Sequence, residues 1–153
     1  MKKLWGLTIV LLFGFAAAAG GAGLYSGWPE VFGIHFLTND GWRMSVGLVP
    51  AESGSYSPSV ALSLDMVMVS GIAYAGDGSE TPDVKYYAGA GVTGSLLKQS
   101  PEINGHALLG LEAFFPQVSN IGFLGELQLG QRLWFYPVGT SPFFGFRVGL
   151  TLR

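Results

Sequence analysis

The 153-residue chain contains no cysteine. A disulfide framework and a thiolate metal site are therefore excluded. Charged residues make up only 12% of it, far below the charge that keeps the surface of a soluble domain in water. After the first twenty residues no run is apolar and uninterrupted enough for a spanning helix, because glycine and polar residues recur throughout. No helical periodicity follows either. Basic residues are scarce too: setting aside Lys2 and Lys3 leaves six against ten acidic ones. That balance argues against a nucleic-acid or anionic-lipid surface. Walker-type lysines and glycine-rich phosphate loops are absent, since the glycines fall within strand-like segments.

What the sequence does contain begins with a leader. Lys2 and Lys3, the apolar run Leu4 to Phe15 and the small residues Ala17-Ala18-Ala19 have the three-part layout of a secretory signal peptide. Residues 1–19 are expected to be removed, leaving 20–153 as one domain. No cysteine follows the apolar run, so the chain is not an acylated lipoprotein.

Period-two segments then run to the end of the chain. Strands are expected near 31–37, 42–49, 58–74, 84–97, 106–115, 121–135 and 142–152, with a shorter one near 22–28. Turn chemistry separates them, as in TNDG at 38–41, AGDGSETPD at 75–83 and KQSPEING at 98–105.

The faces of these strands differ sharply. In 121–135 the odd positions include Ile121, Phe123, Leu127, Leu129 and Leu133, whereas the even ones include Gly122, Glu126, Gln128, Gly130 and Arg132. Strand 142–152 sets Phe144, Phe146, Val148, Leu150 and Leu152 against Gly145, Arg147, Gly149 and Thr151. The polar faces collect glycines, Gly33, Gly47, Gly71, Gly89, Gly91, Gly110, Gly122, Gly130, Gly145 and Gly149; the oily faces hold only Gly94 and Gly125. Glycine weakens a strand, so such a concentration needs a spatial reason. The inside of a narrow closed barrel supplies one. Aromatic residues near segment ends (Trp42, Tyr56, Tyr74, Tyr86, Phe114, Phe115, Trp134, Phe135, Tyr136, Phe143) fit an aromatic girdle.

With its leader, its alternating faces, its aromatic ends and a final strand FFGFRVGLTLR, the chain resembles the small eight-stranded outer-membrane β-barrels of the OmpA/OmpX type. The resemblance implies an all-β fold: an antiparallel up-and-down transmembrane β-barrel, eight strands, preceded by a cleaved signal peptide. It further implies an outer-membrane location, contact with membrane lipid and handling by the outer-membrane assembly machinery. That family usually ends on an aromatic residue; this chain ends Leu152-Arg153.

In such a barrel the polar faces meet in the lumen. Parity places His35, Arg43, Asp65, Lys85, His106, Glu112, Glu126, Gln128, Arg132 and Arg147 there, with Ser45, Ser63 and Thr93 beside them. Arg43, Lys85, Arg132 and Arg147 nearly balance Asp65, Glu112 and Glu126, which predicts paired charges filling the lumen rather than an ion-selective path. No catalytic, cofactor or metal site is expected. The residues two beyond His35 and His106 are Leu37 and Leu108, so neither strand sets a serine beside its histidine. Asp77, Glu80 and Asp83 lack the ligand order of a calcium loop and read as a solvated turn.

The expected role is structural, in envelope integrity. The alternatives are a soluble exported lipid-binding barrel, a lipid-modifying outer-membrane enzyme and a narrow pore. The two faces predict unequal tolerance to substitution, with Leu129→Arg preventing assembly and Gly130→Ala comparatively mild.

Overall fold

The computed structural model describes residues 19–51, 58–76, 81–96, 101–118, 120–135 and 137–152. It contains eight strands: β1 (Ala19–Trp28), β2 (Phe32–Thr38), β3 (Trp42–Val49), β4 (Ser59–Tyr74), β5 (Asp83–Leu96), β6 (Glu102–Phe114), β7 (Ile121–Phe135) and β8 (Val138–Leu152). Each pairs antiparallel with its sequence neighbours, and β1 pairs with β8 from Ala22↔Leu152 to Trp28↔Phe146, closing the barrel. The weak segment near 22–28 is thus a full strand, and the count is even. Ala19, the last residue of the expected leader, opens β1; residues 1–18 lie outside the described residues.

The inward pairs run Gly23↔His35, His35↔Ser45, Ser45↔Ser63, Ser63↔Thr93, Thr93↔Asn104, Asn104↔Arg132 and Arg132↔Ser141. In the β1–β8 register Ser141 would stand opposite position 33, ten residues beyond Gly23. That stagger sets a steep strand tilt, about 40° from the axis, as closure of eight strands requires.

Two strands start earlier than turn chemistry suggests, β6 at Glu102 and β8 at Val138. In β6 the alternation simply continues through the Pro-Glu-Ile-Asn-Gly stretch. Glu102 and Asn104 point in, Ile103 points out, and the ladder to β5 and β7 pairs their backbone groups. Satisfied backbone hydrogen bonds outweigh the local turn preference.

A bulge between Val67 and Val69 changes the parity of β4. Val67 turns inward against Tyr87, Leu108 and Leu124, while Met68 and Val69 both face out. Beyond the bulge Gly71 stands on the outer face, where a Cβ would meet the Tyr86 ring. Its expected place in the lumen is therefore corrected.

The aromatic girdle needs correction as well. Trp42, Tyr74, Tyr86 and Phe135 are exposed on the outside, but Phe143 is buried in the lumen, 4% exposed. Trp134 is half-buried, its ring over Gly139, and Phe114 lies over Gly122. Tyr56 and Tyr136 lie outside the described residues.

The inward glycines serve two packing needs. Some lie beneath large lumen side chains: Gly33 under Tyr25, Gly91 under Asp65, Gly110 under Tyr87. Others, Gly27, Gly89, Gly130 and Gly149, stand against a neighbouring strand's carbonyl oxygen, where a Cβ would have no room. By contrast, a Cβ at the outward Gly94, Gly105 or Gly125 would meet nothing within 4 Å.

A methyl on Gly130 would meet the Gly105 carbonyl oxygen and lie 2.7 Å from the His106 Cα, so Gly130→Ala has a cost of its own while remaining the milder change beside Leu129→Arg. Gly130→Ala is expected to lower folding stability by about 1–3 kcal/mol through overpacking. The outward Gly125→Ala should stay within about 0.5 kcal/mol of the parent. Urea midpoints of the two variants, refolded side by side, check this; equal midpoints contradict it.

Candidate functional site

The polar residues converge on one cluster at the middle of the lumen. β3 brings in Arg43, β4 Asp65, β6 His106, β7 Glu126 and Gln128, and β8 Arg147. Each is buried, because on a period-two strand every second side chain shares this enclosed space.

Arg43 Nε and Nη2 donate to Asp65 Oδ2 at 3.1 and 2.9 Å, and its Nη1 lies 2.6 Å from Glu126 Oε2. The same Glu126 oxygen accepts from the Tyr87 hydroxyl at 2.9 Å, while Oε1 accepts from Gln128 Nε2 at 2.9 Å. His106 Nε2 contacts Asp65 Oδ1 at 3.1 Å. Arg147 joins the network from the other side, with Nη1 at 3.4 Å from Asp65 Oδ2 and 3.7 Å from Glu126 Oε1. Its Nη2 donates to Ser63 Oγ at 2.9 Å, and Ser63 in turn shares a 2.7 Å hydrogen bond with Thr93. The guanidinium lies 4.7 Å from the centroid of the Tyr25 ring.

Sequence reasoning missed one central member. Glu30, in the connection between β1 and β2, folds into the barrel and is 2% exposed. Its carboxylate takes a two-pronged contact from Arg147, Nε to Oε2 at 3.2 Å and Nη2 to Oε1 at 3.0 Å. Strand parity cannot locate a loop residue. The surplus of basic side chains in the expected lumen was the only hint that a further acid was needed. Glu102, also read as a turn residue, is a second inward acid. It accepts from Ser95 Oγ at 3.2 Å and stands 4.0 Å from Arg132 Nε.

The remaining expected residues point inward but stand outside this centre. His35 stacks on Tyr25 with ring centroids 6.0 Å apart. Arg132 lies in an upper layer with Glu102, its guanidinium 5.8 Å from the Phe143 ring. Lys85 and Glu112 face each other across β5 and β6 near the end that carries both termini, and Lys85 Nζ sits 5.1 Å from the Phe114 ring. They line a cavity of about 520 Å³ together with Leu37, Val67, Leu124 and Tyr87, whose floor includes Arg43. The lumen is therefore filled across its middle and hollow at one end.

Buried charges are tolerated only where partners replace water. Here Arg43 and Arg147 each meet at least two carboxylates, and the carboxylates accept further bonds from tyrosine, glutamine and histidine. The arrangement ties β3, β4, β6, β7 and β8 together across the lumen. Asp83, expected in the acidic turn, opens β5, and its Oδ1 accepts from Gly76 N at 2.9 Å; Asp77 and Glu80 lie outside the described residues.

Asp65 is the acceptor shared by Arg43, Arg147 and His106. Asp65→Ala should leave buried cations short of a partner and cost about 3–5 kcal/mol. Glu30→Gln should cost less, because Arg147 keeps Asp65, Glu126 and Ser63. Equilibrium unfolding of both variants checks the order; a larger loss for Glu30→Gln contradicts it. Comparison of the chain with protein-family models, with curated proteins and with solved structures finds no match.

Proposed function

We propose that this chain is a small integral outer-membrane β-barrel that contributes to envelope integrity, with a lumen closed to solutes. The observation that carries the reading is the outer face. Every strand exposes large apolar side chains there, among them Leu24, Phe32, Leu48, Leu64, Val92, Leu109, Leu129 and Phe144. Among the described residues no strand directs a charged side chain outward. Apolar surface running round the whole circumference is far larger than a soluble monomer leaves in water. A closed barrel also satisfies its backbone hydrogen bonds internally, the condition for crossing hydrocarbon with strands. The partners in this reading are membrane lipid and the outer-membrane assembly machinery, and the leader at 1–19 carries the chain into the secretory pathway.

The filled centre favours a structural role over a pore. Arg43, Arg147, Asp65, Glu126 and Glu30 bridge the lumen directly, with no single sign of charge to select an ion. It favours a non-enzymatic role as well. Asp65 and His106 do meet, but Ser63 is held by Thr93 and Arg147, and His106 Nδ1 has no hydrogen-bond partner among the described residues. A soluble lipid-binding barrel would need the reverse arrangement of faces.

The mature chain extracted from membranes should show heat-modifiable gel migration and no single-channel conductance. Recovery in the aqueous fraction without detergent would sink the membrane reading, and steady conductance would sink the sealed lumen. Leu129→Arg, in the middle of the outer face, should cost about 2–4 kcal/mol of folding stability in lipid. The same variant should matter little if that face is in water, so refolding it into vesicles separates the two.

A further inference from the structure

The wall of the barrel is uneven. β2 and β3 have 7 and 8 residues, whereas β7 and β8 have 15 each. A strand crossing an outer-membrane-type bilayer usually needs about 9–11 residues. At ~3.3 Å per residue and a tilt of about 40°, the short strands rise only ~18–20 Å along the axis. The same arithmetic gives the long strands ~38 Å. The apolar band such a barrel presents is about 25 Å tall, between these two values.

Outward side chains show the same inequality. β2 offers Phe32, Ile34 and Phe36 in succession, and then Thr38 begins the polar turn with exposed Asn39 and Asp40. β8 offers an unbroken run of five, Phe144, Phe146, Val148, Leu150 and Leu152, with exposed Val138 further along the same face. Between the ends of these unbroken runs the difference is four residues, or roughly 10 Å of height. The two short strands are adjacent, so the deficit falls on one flank.

We infer that the β2–β3 flank holds a locally thinned bilayer against the protein. This rests on the membrane reading above. The occupant is lipid: acyl chains against Phe32, Ile34 and Phe36, with headgroups drawn in towards Asn39 and Asp40. A thick bilayer would otherwise bury the Asp40 carboxylate, which costs far more than bending a column of lipids. On the inner side, β2 and β3 line the hollow end of the lumen, with Leu37 and Arg43 in the wall of the 520 Å³ cavity.

The absence of cysteine makes the test clean, since single labels meet no background thiol. Nitroxide-labelled Phe32→Cys and Phe36→Cys mark the two ends of β2; Phe144→Cys and Leu152→Cys mark β8. All four positions face outward. Depths read from oxygen and nickel-chelate accessibility in phosphatidylcholine vesicles, added to the label separation along the axis, give the hydrocarbon thickness at each flank. Thickness at β2 should be smaller than at β8 by about 5 Å or more. Equal thickness at the two flanks overturns the inference and leaves the membrane reading standing. Labels inaccessible to lipid-dissolved oxygen on both flanks overturn the membrane reading itself. Two residues added to each of β2 and β3 beside the turn should bring the flanks to equal thickness, and unchanged asymmetry in that variant also counts against the inference.

Discussion

A barrel of eight strands encloses a space that side chains must fill, and here the filling is ionic. Two arginines, Arg43 and Arg147, share Asp65 and Glu126 at the centre, with Glu30 closing over Arg147. Everything else in the fold accommodates this cluster. The large polar side chains need room, so the strands around them carry glycine where a neighbour's ring or carboxylate lies flat. The charges need dry, complete partnership, so tyrosine, glutamine and histidine supply the remaining bonds. With the polar residues spent inside, the alternation of the strands leaves only apolar and small neutral side chains for most of the exterior.

The cluster also has consequences for mechanics. Each of the two arginines joins strands that are not ladder neighbours, Arg43 of β3 meeting Glu126 of β7 and Arg147 of β8 meeting Asp65 of β4, 82 residues away. Such links add cross-lumen ties to a ladder that otherwise connects only neighbours. They also determine where the barrel is open. The filled layer lies at mid-height, an upper layer of Glu102, Arg132 and Phe143 covers one side, and the end with the termini keeps its cavity. The two short strands, β2 and β3, form part of the wall of that hollow end.

Much of this was legible in the sequence, because alternation is a two-residue property that needs no tertiary knowledge. All ten side chains expected in the lumen point inward, and the eighth strand exists where only a short segment suggested it. What escaped notice did so for identifiable reasons. Glu30 follows Pro29 outside any strand, so no parity applies to it. Phe143 has the parity of the lumen, but an aromatic ring near a strand end reads as a girdle residue until its burial is seen. Gly71 was misplaced because the bulge at Val67–Val69 shifts the count by one, and the blurred alternation of Val67 and Val69 was its only trace. The strand starts at Glu102 and Val138 were hidden by turn-forming residues whose backbone groups find ladder partners, on both sides at Glu102 and on β7 at Val138. The meeting of Asp65 with His106 depends on register between strands 41 residues apart, which no local pattern encodes.

The central claim is a spatial one, with hydrocarbon on one face of each strand and a sealed ionic core behind the other. Solution NMR of the mature chain in lipid nanodiscs tests it most directly, through magnetisation transfer from acyl-chain protons and from water to individual residues. The account predicts acyl-chain transfer at Leu127, Phe146 and Val148, and neither acyl-chain nor bulk-water transfer at Glu126 and Arg147. Water transfer at Glu126 and Arg147, together with silence at Leu127 and Phe146, would contradict it.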